Sequence, residues 1–173
     1  MVKDNVSVYD NFFNKEDYNT ILKKVEEPNW SWGHTSYSPD HPHYNQCTPF
    51  WHMDLRDDEF FTGHLLNKIQ ELVPQYDLLN VYANGHTYGL DGTFHQDAYD
   101  DKGRTFLLYA NKKWLKQWGG MTSFYKDNNE VHSLYPSPNK GILFPGMIFH
   151  RASSLSRLFI GLRVTIAWKL QRK

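Results

Sequence analysis

Apolar positions early in the chain recur with the period of a helix. Tyr18, Ile21, Leu22 and Val25 fall at i, i+3, i+4 and i+7 and share one face. The spacing predicts a helix over 12–25, with Asn14 as its cap, Asp17 in its first turn and Pro28 beyond its end. Phe13 and Tyr18 are placed for a hydrophobic staple. A second helix is predicted over 57–73, with Phe61, Leu65, Ile69 and Leu72 as its apolar stripe, Asp54 ahead of it as a start signal and Pro74 as its stop. After Pro74 the period shortens. Runs at 77–83, 93–98, 105–111, 121–125, 131–135, 141–144, 147–150 and 163–170 read as strands separated by Gly, Asn and Pro. Two helices followed by seven or eight short strands predict an α+β, β-rich chain, a sandwich or jelly roll behind a helical layer. Residues 28–51 follow neither period. They carry Trp30, Trp32, Pro39, Pro42 and Pro49, with His34, His41 and His43, and read as an aromatic-anchored surface loop or as a lid over a site.

Composition narrows this picture. With 173 residues the chain is expected to form one domain over 1–173 with a core that needs no staples. Aromatic residues reach 16%, which suits pleated surfaces. The 19 basic side chains balance the 19 acidic ones, so no global positive field draws nucleic acid to the protein, and a nucleic-acid substrate is disfavoured. Cys47 stands alone, which excludes an intrachain disulfide and a zinc–thiolate cluster and leaves an ordinary buried or half-buried thiol. The first five residues lead into no apolar run. The most apolar stretch, 142–149, holds Pro145 and Gly146 and is too short to span a bilayer. The expectation is a soluble, cytoplasmic protein without a membrane partner. Nine histidines against one cysteine point any metal site toward nitrogen and oxygen ligands.

His-x-Asp occurs twice, as His52-Met53-Asp54 and His95-Gln96-Asp97. In a strand, positions i and i+2 face the same way, so an imidazole and a carboxylate can converge on one ion. Context separates the pairs. His95 and Asp97 follow a turn-rich run from Asn84-Gly85-His86 through Gly89 to Asp91-Gly92, and His150 ends an apolar strand 55 residues beyond His95. Two histidines and one carboxylate on one face of an octahedral ion form the facial triad of non-haem Fe(II) oxygenases, which leaves positions open for reactants. His52-x-Asp54 has no such continuation and reads as structural. In Arg163-Val164-Thr165-Ile166-Ala167-Trp168, strand alternation puts Val164, Ile166 and Trp168 on an apolar face toward the helices and Arg163 and Thr165 on the other. A guanidinium beside a hydroxyl suits a buried carboxylate. Thr105, Leu107 and Tyr109 likewise share a face, which can aim the Tyr109 hydroxyl inward. Trp114 and Trp118 read as packing anchors, with substrate platforms as the alternative, and Trp168 as core.

Taken in order, His95-x-Asp97, Tyr109-Ala110-Asn111-Lys112-Lys113-Trp114, Gly119-Gly120-x-Thr122, His150 and Arg163-x-Thr165 resemble the 2-oxoglutarate/Fe(II)-dependent dioxygenases. The Tyr-x-Asn, Trp and Gly-Gly stretch makes the chain most similar to the prolyl 4-hydroxylase-like branch. The resemblance spans about residues 77–170, and the opening Tyr9-Asp10-Asn11-Phe12 suits it too. It implies a double-stranded β-helix, of jelly-roll or cupin type, backed by the two helices. It implies iron on His95, Asp97 and His150. It implies 2-oxoglutarate with its far carboxylate on Arg163, helped by Thr165 and Tyr109, with Tyr82 lining the pocket. The cofactors implied are Fe(II), 2-oxoglutarate and O2. The implied reaction is hydroxylation with release of succinate and CO2, most naturally of a prolyl residue in a peptide or protein. Small molecules, nucleic acid and a non-catalytic binding role are the alternatives. The interval from His150 to Arg163 is longer than in many relatives and holds Arg151 and Arg157. Arg157 is the rival carboxylate partner, but the strand pattern and Thr165 favour Arg163.

Overall fold

A computed structural model describes residues 6–125 and 131–173; residues 1–5, on which the N-terminal reading rests, lie outside them. The chain opens with β1 (Ser7–Tyr9) and α1 (Lys15–Val25). The Asn14 side chain accepts from the Asp17 amide, so the cap is as expected, while 12–14 stay outside the helix. The second helix is shorter than its stripe implies. It is one wide turn of π type over Phe60–His64 that runs into α2 (Leu65–Gln70). The Asp58 side chain, not Asp54, meets the Phe60 amide at its start, at 3.1 Å. Asp54 ends a strand and is clamped by Arg56.

The remaining strands are β2 (Ser31–His34), β3 (Phe50–Asp54), β4 (Tyr76–His86), β5 (Gly103–Tyr109), β6 (Thr122–Tyr125), β7 (Val131–Leu134), β8 (Gly141–Pro145), β9 (His150–Ala152) and β10 (Arg163–Arg172). They form an antiparallel seven-stranded sheet in the order β1-β8-β5-β10-β4-β3-β2, and a three-stranded sheet β7-β6-β9. This is a double-stranded β-helix. β2 and β3 lie within or beside the segment read as loop. β2 is an exposed edge strand interrupted at Gly33, where φ is 110°, so it lacks a regular inside–outside alternation. Trp32 and Trp51 meet across the pair at 5.2 Å.

The long sheet has two dissimilar faces. Val81, Ala83, Phe106, Leu108, Val164, Ile166 and Trp168 pack against α1 and the second helix in the main core. A smaller cluster of Leu107, Tyr109, Phe124, Ile142, Phe144 and Ile148 lies on the other face, between the sheets. Tyr18 ties α1 to the sheet by donating its hydroxyl to the Asn111 carbonyl, 2.9 Å away. Trp168 is completely buried among Phe13, Phe61 and Phe106 and donates its indole N–H to the Phe61 carbonyl at 3.0 Å. Trp114 and Trp118 pack on each other and on Phe159, as anchors. Cys47 is half-buried. Among the described residues no helix is long and apolar enough to cross a membrane.

Trp168→Ala leaves a large void and removes the indole hydrogen bond to the Phe61 carbonyl. We expect it to destabilise the fold by about 3–5 kcal/mol. Equilibrium urea unfolding checks this, and a loss under about 1 kcal/mol would show that the core closes over the gap.

Candidate metal centre and cosubstrate cavity

The run over 93–98 is not a regular strand. His95 makes a single antiparallel bridge to His150, with amide–carbonyl bonds of 3.1 and 3.0 Å, and the Asp97 amide donates to the Gly146 carbonyl at 2.8 Å. The expected strand over 147–150 is likewise a turn, because Pro145-Gly146 ends β8. The Ile148 amide bonds back to the Pro145 carbonyl, and β9 begins only at His150. Two short irregular segments thus bring the three side chains together. The Asp97 carboxylate lies 3.5 Å from His95 Nε2 and 3.4 Å from His150 Nε2. One donor atom from each of the three falls within 4.8 Å of the others, an arrangement that could hold a metal ion.

Backbone carbonyls settle how the imidazoles present themselves. His95 Nδ1 donates to the Thr93 carbonyl at 2.8 Å, and His150 Nδ1 to the Ile148 carbonyl at 2.9 Å. Each ring therefore keeps its proton on Nδ1 and turns a bare Nε2 toward Asp97. The donor set is two imidazole nitrogens and one carboxylate, which fits Fe(II). Burial pushes Asp97 up, but Lys169, His150 and His95 outweigh it and hold its carboxyl well below the usual range. Thr105 donates its hydroxyl to Asp97 Oδ2 at 2.6 Å, and the Lys169 ammonium pairs with the same oxygen. Lys169 was not among the expected site residues. Its signal is the alternation of β10: Arg163, Thr165, Ala167 and Lys169 share the face opposite Val164, Ile166 and Trp168.

A cavity of about 100 Å³ runs from the triad along this face to Arg163. Tyr82, Asn84 and His86 of β4 line it, as do Thr35 and Ser36, and Thr122 and Thr165 stand near Arg163. The guanidinium is buried, with 1% of the residue exposed. Its partners are neutral: Nε donates to the Gly120 carbonyl at 2.6 Å and Nη2 to Thr122 Oγ1 at 3.0 Å. No carboxylate among the described residues lies within ion-pair distance of it. A buried cation without a counter-ion is costly unless a ligand brings the anion. Arg163 therefore fits the far carboxylate of a dicarboxylate.

The other expected residues divide. Tyr82 and Thr165 line the cavity. Tyr109 stands one layer behind: its ring lies 5.4 Å under the Arg163 guanidinium, and its hydroxyl donates to Thr122 Oγ1 at 2.7 Å. Thr122, quoted only within a motif, is the hydroxyl that meets both Tyr109 and Arg163. Arg157 is exposed and donates to the Tyr88 hydroxyl at 2.8 Å, away from the cavity. His52 sits in β3, stacked on His34 with ring centroids 4.3 Å apart, and takes no part in the triad.

The motif residues between the ligands have structural reasons. Asn111 acts as a side-chain rung: its Nδ2 donates to the Leu162 carbonyl at 2.8 Å, and its Oδ1 accepts from the Val164 amide at 2.9 Å. This holds the chain on both sides of Arg163. Gly120 has φ of 68°, and a Cβ there would meet Leu155 at 2.7 Å and the Arg163 side chain at 3.0 Å. The position needs glycine for its backbone and for room beside Arg163.

The sequence model of the 2OG-Fe(II) oxygenase superfamily matches residues 69–167, more than half the chain. The chain belongs to the 2OG-Fe(II) oxygenase superfamily. It is a 2-oxoglutarate-dependent dioxygenase, and the family's chemistry uses Fe(II), 2-oxoglutarate and O2. No curated protein sequence matches it. Solved structures share its fold. A prolyl hydroxylase from Trichoplax adhaerens, in complex with a peptide fragment of the hypoxia inducible factor oxygen degradation domain, aligns with a TM-score of 0.76 and 16% identity, over 98% of this chain and 84% of that one. A Pseudomonas putida prolyl-4-hydroxylase aligns at 0.71 and 13%, over 99% and 94%. A prolyl 4-hydroxylase from Phytophthora capsici aligns at 0.65 and 21%, over 96% of this chain and 58% of that one.

Burial holds three imidazoles of this oxygenase neutral. It pushes His34 down to about 4, and His86 and His150 down to about 3. In the unfolded chain the same rings titrate near 6.5. They bind protons more readily when unfolded, so their contribution is complete above about pH 6.5 and is lost as pH falls toward their folded values. Asp97, also depressed, acts in the same direction below about pH 4. The urea midpoint of the metal-free protein should be level above about pH 7 and decline steadily toward pH 4. A midpoint unchanged across that interval would contradict the burial of these rings.

Proposed function

We propose that this dioxygenase is a prolyl hydroxylase acting on a peptide or protein, with all 173 residues forming one oxygenase domain. In this reading His95, Asp97 and His150 hold Fe(II), and Arg163 holds the far carboxylate of 2-oxoglutarate. Thr165 and Tyr82 flank the cosubstrate, and Tyr109 supports it through Thr122. The observation that carries the cosubstrate assignment is the buried Arg163 guanidinium with only neutral partners, at the end of a cavity that starts at two imidazoles and a carboxylate. The prolyl assignment is supported by the shared fold of three prolyl hydroxylases along nearly the whole chain.

When bound, iron and 2-oxoglutarate supply the oxidation: the keto acid loses CO2 and becomes succinate, taking one atom of O2 while the other enters a substrate C–H bond. The protein's own side chains bind and orient. The Nδ1–carbonyl bonds keep the His95 and His150 lone pairs aimed at one point. Thr105 and Lys169 fix one Asp97 oxygen and leave the other free to ligate. Arg163 offers a planar fork that matches a carboxylate. Thr35, Ser36 and Phe50 line the same cavity.

Three measurements test this reading. Succinate formation without added substrate should be detectable in the wild type and abolished in His95→Ala and Asp97→Ala. Persistence of turnover in Asp97→Ala would move the metal elsewhere. Removing one partner of a buried charge pair costs about 3–5 kcal/mol, so Arg163→Ala should raise the 2-oxoglutarate requirement by at least about a hundredfold. Arg163→Lys should lose less, and Arg157→Ala little. If Arg157→Ala cripples turnover instead, the anchor is misassigned. Incubation with proline-containing peptides should yield a product one oxygen atom heavier, located on proline by fragmentation. Oxygen found on another residue type, or on none of the peptides, would overturn the prolyl assignment.

A further inference from the structure

Most of the unmet polar atoms in this structure gather on one strip of the long sheet. Of five buried side-chain atoms without a hydrogen-bond partner among the described residues, four belong to β3 and β4: His52 Nδ1, Asn80 Oδ1, Asn84 Oδ1 and His86 Nδ1. His86 is the deepest of these, with 3% of the residue exposed, and it lines the cavity. In the β10–β4 ladder it stands directly opposite Arg163. Opposed residues of an antiparallel pair project from the same face as close neighbours. Its ring is stacked on the buried Phe50 ring at 4.6 Å, with 26° between planes, so its orientation is set by packing. Burial first, and the Arg163 charge second, keep it neutral. A neutral imidazole still carries one N–H donor.

Two unmet needs thus lie side by side at one end of the cavity: a guanidinium without an anion and an imidazole without a partner. A carboxylate has lone pairs for both. We propose that His86 is a second donor to the far carboxylate of 2-oxoglutarate, sharing it with Arg163. This inference rests on the assignment of Arg163 as cosubstrate anchor. It goes beyond that assignment in making the dicarboxylate site two-sided, with one charged fork from β10 and one neutral N–H from β4.

The test uses protein loaded with Mn(II) and calorimetric titration of two ligands. Oxalate can chelate the metal but has no far carboxylate; 2-oxoglutarate has one. A hydrogen bond to a charged group is worth enough that His86→Phe, which preserves the stack on Phe50, should weaken 2-oxoglutarate by about tenfold or more. Oxalate affinity should be unchanged, which also shows that the metal site and fold are intact. A ratio of 2-oxoglutarate to oxalate affinity equal to the wild type's would overturn the proposal and leave His86 as a packing residue. If His86→Phe binds neither ligand, His86→Leu, smaller and without a donor, is read by the same ratio. Failure of the underlying assignment looks different: the wild type would then bind oxalate but not 2-oxoglutarate, or Arg163→Ala would bind both as the wild type does.

Discussion

The site depends on the two-sidedness of β10. One face of this strand is part of the core, where Val164, Ile166, Trp168 and Leu170 lie against the helices. The other carries Arg163, Thr165, Ala167 and Lys169 into the cavity. Apolar burial on the first face holds the register of the second. A slip by one residue would drive a guanidinium and an ammonium into the core. The position of both cations is thereby paid for by packing on the far side of the sheet, where no reactant reaches. Its neighbours complete the floor: β5 supplies Thr105 to the Asp97 end, and β4 supplies Tyr82, Asn84 and His86 along the side.

The two cations of that face are treated differently. Lys169 is matched within the protein, by Asp97. Burial alone would lower its pKa, but the Asp97 carboxylate and the Tyr82 hydroxyl more than reverse this. The ammonium gives the buried carboxylate a partner within the protein. Arg163 has no such match. Its carbonyl and hydroxyl partners orient the fork without neutralising it, and burial lowers its pKa. If Arg163 takes the far carboxylate, as proposed, leaving its charge unpaired suits the site, since a resident carboxylate would compete with the cosubstrate.

Around this floor runs a layer of residues that hold Arg163 in place. Asn111 replaces a missing rung of the sheet beside Arg163, Gly120 yields its side chain's space to it, and Tyr109 and Thr122 form a hydroxyl pair beneath it. Tyr18 links this layer to α1. The motif from Tyr109 to Thr122 is thus largely a support for one guanidinium.

Much of this was legible in the sequence because it is governed by local periods and by side-chain chemistry. The helical face from Tyr18 to Val25, the Asn14 cap and the alternation of 163–168 need only neighbours along the chain to be read. The combination of His95, Asp97 and His150 stands out because metal ligation needs those residue types. Other features were decided by distant contacts. The runs around His95 and before His150 read as strands, yet a single bridge between them suffices to converge the ligands. β2 hides because an edge strand need not bury either face, and β3 because its buried residues, Phe50 and Met53, stand three apart and break the alternation. β4 runs on through Asn84-Gly85-His86, a turn by composition, because β10 and β3 hydrogen-bond to it from both sides. Lys169 and His86 acquire their surroundings only when β10 lies between β5 and β4. Periodicity along one strand tells which way a side chain points; what it meets there depends on which strands become its neighbours, and only the closed fold decides that.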